Sequence, residues 1–166
     1  MLLVAWLVWL VDVGSKTWAL ASLEGRAPVK VLGDFLKLTL TKNSGAAFSL
    51  GTGRTALLSV FAILVIVAIG YWSPKITSRS WGYVLGLVLG GSLGNLTDRI
   101  FRTEDGVGSF RGHVIDWIQL PHWPIFNMAD SAIVIAAVVA AILSMRNVAP
   151  ISPVNIDGKR DGSDGA

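Results

Sequence analysis

The chain has 166 residues, a formal net charge of +3 and no cysteine. Hydrophobic residues make up 52 % and charged residues only 15 %, and the mean hydropathy is +0.60, more apolar surface than a soluble globule of this size can hide, so the composition predicts a polytopic membrane protein. Without cysteine there are no disulfides, thiolate metal ligands or cysteine nucleophiles, and without a Lys/Arg stripe nucleic acid is not an expected partner.

Residues 2–22 read as a first transmembrane helix interrupted by Asp12 and Lys16, which are four apart and therefore share a face where each can neutralise the other. Ala19-Leu20-Ala21 imitates a signal-peptide cleavage box, but the charges inside the run and the missing basic start argue against cleavage. The run begins almost at Met1, which leaves room for a further N-terminal extension of the native chain. Residues 24–52 change character. Phe35-Leu36-Lys37-Leu38-Thr39-Leu40 alternates as strands do, so a small extramembrane β-sheet is expected between helices one and two, with Gly33, Gly45, Gly51 and Gly53 at its turns. Within it, Asn43-Ser44-Gly45-Ala46-Ala47-Phe48 is either an ordinary turn or a backbone and amide suited to close approach of an extended peptide.

Residues 55–72 are an uninterrupted apolar run of bilayer-spanning length and predict helix two. Residues 73–80, with Pro74, Lys75 and Arg79, connect it to a third span over 81–101. That span carries glycine at 82, 86, 90 and 94, one helical turn apart, a small-residue ridge for close packing. At its end Asn95, Asp98 and Arg99 fall at i, i+3 and i+4 and project to nearly one side. Asp98 and Arg99 are open to reading as residues that snorkel to the interface, whereas the amide a turn deeper is not so easily explained. Residues 102–123 read as a polar loop with His113 and His122 around Asp116, and no HExxH or comparable spacing is present, so no metal site and no cofactor is expected. Helix four is expected over 125–145, started after Pro124 at Phe126 or Asn127, with Asp130 about one turn inside. The remainder, 147–166, is expected to be a disordered tail rich in Pro, Gly and mixed charge, following a single membrane domain over 1–146.

Asp116 and Asp130 stand fourteen positions apart across a loop containing Pro121 and Pro124. Taken by itself, this pattern fits a solvated loop residue plus an N-terminal helix charge as well as it fits a catalytic pair. If the loop folds back, two carboxyls in a low-dielectric site cannot both ionise cheaply, and the pair then works as acid and base on a water. Four spans bring the ends of helices one and three and the starts of helices two and four to one surface. That parity gathers Asn43, Asn95, Asp98, Arg99, Asp116, Asn127 and Asp130 and favours the pair. An ion or proton carrier is the rival, since paired acids in apolar spans also suit proton relays, but the ionisable residues collect at one surface instead of forming a path across. Charge alone leaves the orientation open.

With these motifs in order the chain resembles the bacterial lipoprotein signal peptidases, or type II signal peptidases. The resemblance runs from Asp12 to about Met145 and rests on Asp12 with Lys16, on 43–48 (NSGAAF), on 90–99 (GGSLGNLTDR), on 114–117 (VIDW) and on 126–130 (FNMAD). It implies an all-α membrane protein of four transmembrane helices with a small extramembrane β-sheet, acting as an intramembrane aspartyl endopeptidase. Its reaction would remove the signal peptide of prolipoproteins on the N-terminal side of a diacylglyceryl-modified cysteine. By position Asp116 and Asp130 match the catalytic pair; Asn43, Gly45, Asn95, Arg99 and Asn127 match residues that bind substrate or support the site; Asp12 and Lys16 match a structural pair. The resemblance also implies a monomer in the bacterial cytoplasmic membrane, in contact with membrane lipid, both termini in the cytoplasm, the site toward the outer face, and globomycin-like peptides as inhibitors. The chain departs from the family in having Trp117 where Phe is common, a longer stretch between Arg99 and Asp116, and a short loop between the aspartates.

Overall fold

The computed structural model describes residues 1–44, 55–103 and 110–151. Gly45, the glycines at 51 and 53 and the tail beyond residue 151 lie outside the described residues. Helices α1 (Leu2–Leu23), α2 (Thr55–Trp72), α3 (Arg79–Phe101) and α4 (Met128–Met145) form a bundle. Strands β1 (Val29–Leu32), β2 (Leu36–Asn43) and β3 (Val114–Gln119) form one antiparallel sheet in that order.

Helix α1, α2 with the 3-10 turn Ser73–Lys75 that Pro74 starts, and α4 are each long and apolar enough to cross a membrane, with mean hydropathies of 1.3, 2.3 and 2.2. Their outer faces expose residues such as Leu3, Leu7, Phe61, Leu64, Val134 and Val138, as a lipid solvent requires. Helix α3 has 23 residues and, at about 1.5 Å each, the same reach. It is the polar one because it is the inner one: it packs against α1, α2 and α4, so Asn95, Asp98 and Arg99 turn to protein instead of lipid.

Glycine makes that packing possible. A Cβ on Gly86 would stand 2.7 Å from the Met1 carbonyl oxygen and one on Gly90 2.6 Å from that of Ala5, so both seat α1 against α3 backbone to backbone. Gly91 does the same toward α4, where a Cβ would meet the Ala129 carbonyl oxygen at 2.6 Å. The expected ridge is thus shorter: Gly86, Gly90 and Gly94 face α1, whereas a Cβ on Gly82 would meet nothing within 4 Å.

The sheet differs from expectation in its third member. Residues 114–119, read from sequence as part of a polar loop, pair with β2 in a register that sets Asp116 opposite Thr41 and Val114 opposite Asn43. From Val114 to Trp117 the strand is buried on both faces, so the outward polar alternation that marks a surface strand is missing. Helix four also starts later than 125: Phe126 exchanges backbone hydrogen bonds with Ile118, which keeps the chain extended until Asn127 caps the helix. Helix three starts earlier than 81, capped by Ser78. At the β1–β2 turn Gly33 takes φ +56°, a left-handed conformation that suits glycine. Ala19, Leu23 and Trp117 join Leu38, Leu40, Ile118 and Met128 in an apolar cluster that docks the sheet on the ends of α1 and α4. At the other end, residues 147–151, read as the start of a disordered tail, are tied down: the Val148 carbonyl accepts from Trp81 Nε1 at 2.8 Å and that of Pro150 from Thr77 N at 3.1 Å.

Candidate active site

Asp116 lies on β3 and Asp130 in the first turn of α4, and the loop between them folds back, the one of the two arrangements open to the sequence that gives both acids a shared neighbour, Asn127. The backbone bonds of Trp117 and Ile118 to the Phe126 carbonyl, at 3.0 and 2.9 Å, close the loop and deliver Asn127 beside Asp116. Asn127 then serves both acids. Its Nδ2 donates to Asp116 Oδ1 at 2.6 Å, its Oδ1 accepts from Asp130 N at 2.9 Å, and its own N donates to Asp130 Oδ2 at 3.3 Å in a reciprocal capping box.

Two more amides complete the surround. Asn43, at the end of β2, donates from Nδ2 to Asp116 Oδ2 at 2.8 Å. Asn95, from α3, donates from Nδ2 to Asp130 Oδ1 at 2.8 Å and accepts at Oδ1 from Asn127 Nδ2 at 3.1 Å. Each carboxylate is therefore held by neutral donors, which fix its position without neutralising its charge. Burial pushes the Asp116 carboxyl up to about 6; the Asp130 charge adds to the rise, while the Asn43 and Asn127 hydrogen bonds and the Lys16 charge oppose it.

The nearby cation is Arg99. Its Nη1 donates to the Asn95 carbonyl at 3.2 Å, its Nε is buried without a partner among the described residues, and the acids acting on it are Asp130, Asp116 and Asp98. An unpaired buried N–H costs about 1–3 kcal/mol, a reason to expect a further acceptor there in the working state. A groove of about 290 Å³ opens beside Asp130, lined by Leu120, Trp123, Phe126, Asp130, Ser131, Val134 and Ile135. A roomier hollow of about 530 Å³ lies against the β1–β2 turn at Asp34 and Phe35, but neither Asp116 nor Asp130 lines it.

Asp12 and Lys16 sit deeper, both fully buried and paired at 2.7 Å. Sequence reasoning missed the third member. Asp98 does not snorkel: it is fully buried, 3.0 Å from Lys16 Nζ and 2.6 Å from Arg102 Nε, and accepts from Ile115 N at 3.0 Å, which pins β3 to α3. Asp12 Oδ1 accepts from Ala129 N at 2.9 Å and so pins α4 to α1. The i, i+3 spacing of Asn95 and Asp98 was a signal for this, because a side that carries one buried amide carries its neighbour inward too. His113 belongs to the approach to β3 and His122 to the loop, and no group of three or more candidate metal ligands occurs among the described residues.

Known proteins share this arrangement of sequence and fold. The family model described as signal peptidase (SPase) II matches residues 4–146. The lipoprotein signal peptidase of Streptomyces coelicolor is 44 % identical over 154 residues, 93 % of this chain and 74 % of that protein. That of Mycobacterium tuberculosis is 41 % identical over 145 residues, 87 % of this chain and 70 % of that protein. A bacterial membrane enzyme solved by the in meso method at 1.9 Å resolution superposes with a TM-score of 0.75 at 25 % identity, covering 88 % of this chain and 92 % of that one.

Proposed function

The chain belongs to the signal peptidase II family, which removes signal peptides from prolipoproteins, and on that premise we propose that Asp116 and Asp130 are its catalytic pair. The observation that carries the assignment is the shared amide clamp: Asn127 bonds both carboxyl groups while Asn43 and Asn95 each fix one. Among the described residues no buried charged side chain lies beyond Asp12 toward the other end of the bundle, so the polar groups give a carrier no path across.

Asp116, whose carboxyl burial pushes up to about 6, is the proton holder, and Asp130 is the base. Asp130 takes a proton from a water whose oxygen bonds to the scissile carbonyl carbon, while Asp116 gives its proton to the carbonyl oxygen. The resulting gem-diol collapses as its hydroxyl proton returns to Asp116 and Asp130 protonates the amide nitrogen; the C–N bond breaks, leaving a carboxylic acid and the amine of the new N-terminal residue. Both aspartates end as they began. Arg99 Nε, without a partner among the described residues and next to the acids, donates to a substrate backbone carbonyl, and Asn43 and Asn127 offer amide groups to an extended peptide that has no water to bond with. The apolar groove beside Asp130 suits the chain flanking the cleaved bond.

The substrate in this proposal carries a diacylglyceryl-modified cysteine after the cleaved bond, its acyl chains remaining in lipid. The protein acts as a monomer in the cytoplasmic membrane, within one domain over 1–146, with the site at the outer face and both termini inside; globomycin-like peptides would occupy the same groove. Cleavage of a diacylglyceryl-modified prolipoprotein peptide by purified protein tests this, beside Asp116→Asn and Asp130→Asn. Each variant should lose about 10³-fold or more in kcat with its melting transition intact. Near-normal turnover in either would overturn the assignment.

A further inference from the structure

Lys16 stands a helix away from the reacting groups, and its bonds reach them. Among the described residues Nζ has three partners: Asp12 Oδ2 at 2.7 Å, Asp98 Oδ2 at 3.0 Å and Asn95 Oδ1 at 2.9 Å. The third is a neutral amide, and its bond decides which way that amide points. An asparagine side chain presents an acceptor on one side and a donor on the other, and nothing in its own shape distinguishes the two orientations. With an ammonium at one side, only the oxygen can face it. The nitrogen must then face Asp130, to which it donates at 2.8 Å, and the same oxygen receives Asn127 Nδ2 at 3.1 Å. Asn127 Nδ2 also reaches Asp116 Oδ1 at 2.6 Å, so one amide orientation propagates to both aspartates.

We infer that Lys16 is a positioning residue for the proposed reaction, setting the Asn95 amide so that it donates to Asp130 and holds the two carboxylates in register. The inference rests on the aspartate pair proposed above. It assigns to Lys16 more than the integrity of an ion pair: Asp12 and Asp98 explain why a cation is buried there, but neither requires a bond to Asn95. The anchoring is rigid at both ends. Lys16 is fully buried, and Gly94, the residue before Asn95, lies so near the Asp12 carboxylate that a Cβ there would overlap it. Without the ammonium, the flipped amide would turn its oxygen toward the Asp130 carboxylate, a repulsion that pushes the base off its line. A misplacement of about 1 Å in such a site costs about 100-fold in rate.

The test separates position from stability with two charge-neutral double variants, assayed on the diacylglyceryl-modified peptide. Asp12→Asn with Lys16→Met removes one charge of each sign and the donor to Asn95; the amide introduced by Asp12→Asn still presents an oxygen to Ala129 N, and Asp98 keeps Arg102. Asp12→Asn with Lys16→Gln removes the same charges but restores an amide donor. The expected result is a fall of about 100-fold in kcat for the Met pair at nearly constant KM, and recovery of about tenfold in the Gln pair, with similar melting temperatures. Equal kcat in the two folded pairs would overturn the inference, since a purely structural role does not distinguish them. Should the Met pair fail to fold, the Gln pair is compared in the parent and in the Asn95→Ala background: a kcat cost of the Gln pair that disappears once Asn95 is gone supports the inference, and an equal cost in both backgrounds overturns it. Asp116→Asn and Asp130→Asn run in parallel: if they retain activity the aspartate pair itself has failed, whereas if they are inactive and the Met and Gln pairs agree, only the role of Lys16 has failed.

Discussion

In the cluster around Lys16 every charge has an opposite partner: Asp12 and Asp98 share the lysine, and Asp98 also holds Arg102. Across Asn95, one turn along α3, Asp116 and Asp130 are held, among the described residues, by amides and backbone, and Arg99 keeps a buried Nε without a bond among the same residues. Both sets combine acids and bases in a low-dielectric interior, yet their chemistry diverges. A charge matched by opposite charge is held as part of the framework, whereas a carboxylate held by neutral donors is fixed in position without having its charge neutralised. The first cluster ties α1, α3, α4 and β3 together; the second retains a buried donor without a bond among the described residues, the one proposed above for a substrate carbonyl.

Breaking the first cluster should cost most in stability. Lys16→Ala leaves Asp12 and Asp98 buried with Arg102 alone, and about 3–5 kcal/mol should be lost in the thermal transition followed by tryptophan fluorescence. The charge-neutral Asp12→Asn/Lys16→Met pair should lose clearly less; equal losses would mean that the ions are not energetically coupled.

In the second set the contrast appears as a pH dependence of opposite benefit. The folded pKa of Asp116, raised to about 6, lies above the unfolded carboxylate value of about 4, so its favourable protonated form contributes fully below about pH 4 and is lost as pH rises through about 6. Asp116→Asn never ionises. Its stability relative to the parent should therefore improve between about pH 4 and 6, by about 3 kcal/mol in all, and stay level outside that window. A difference independent of pH would show that burial does not penalise this carboxylate.

The smallest effect is in activity. With Asp116 as proton holder, kcat/KM of the parent should fall as pH rises through about 6, and Asn43→Ala, which removes a hydrogen bond that lowers the Asp116 pKa, should move that limb to higher pH. A limb that stays in place or moves down would place the titration elsewhere.

Much of this contrast is legible in the sequence. Asp12 and Lys16 stand at i, i+4, Asn127 stands where a helix cap belongs, and the parity of the spans gathers the asparagines and aspartates at one surface. Asp98 is open to two readings because spacing places a side chain on a face of its helix but does not say whether the neighbour of that face is lipid headgroup or another helix. β3 escapes the sequence for a related reason: VIDWIQ carries no alternation, since it is covered on both faces over Val114–Trp117, and its strand identity comes from β2.

By itself, then, the sequence determined the solvent, the four helical runs, the Asn127 cap and the residue types of the site, all of which depend on composition or on residues within one or two turns. The tertiary structure decided the partners. Lys16 meets Asn95 across 79 positions, Asn43 meets Asp116 across 73, and Asp12 meets the start of α4 across 117. Such bonds are set by how closely Gly86, Gly90, Gly91 and Gly94 let three helices approach, and by a strand that exists only once its neighbour is in place. Local pattern carries the identity of a donor or an acceptor; which pair forms in a low-dielectric interior depends on which alternatives the packing has already closed.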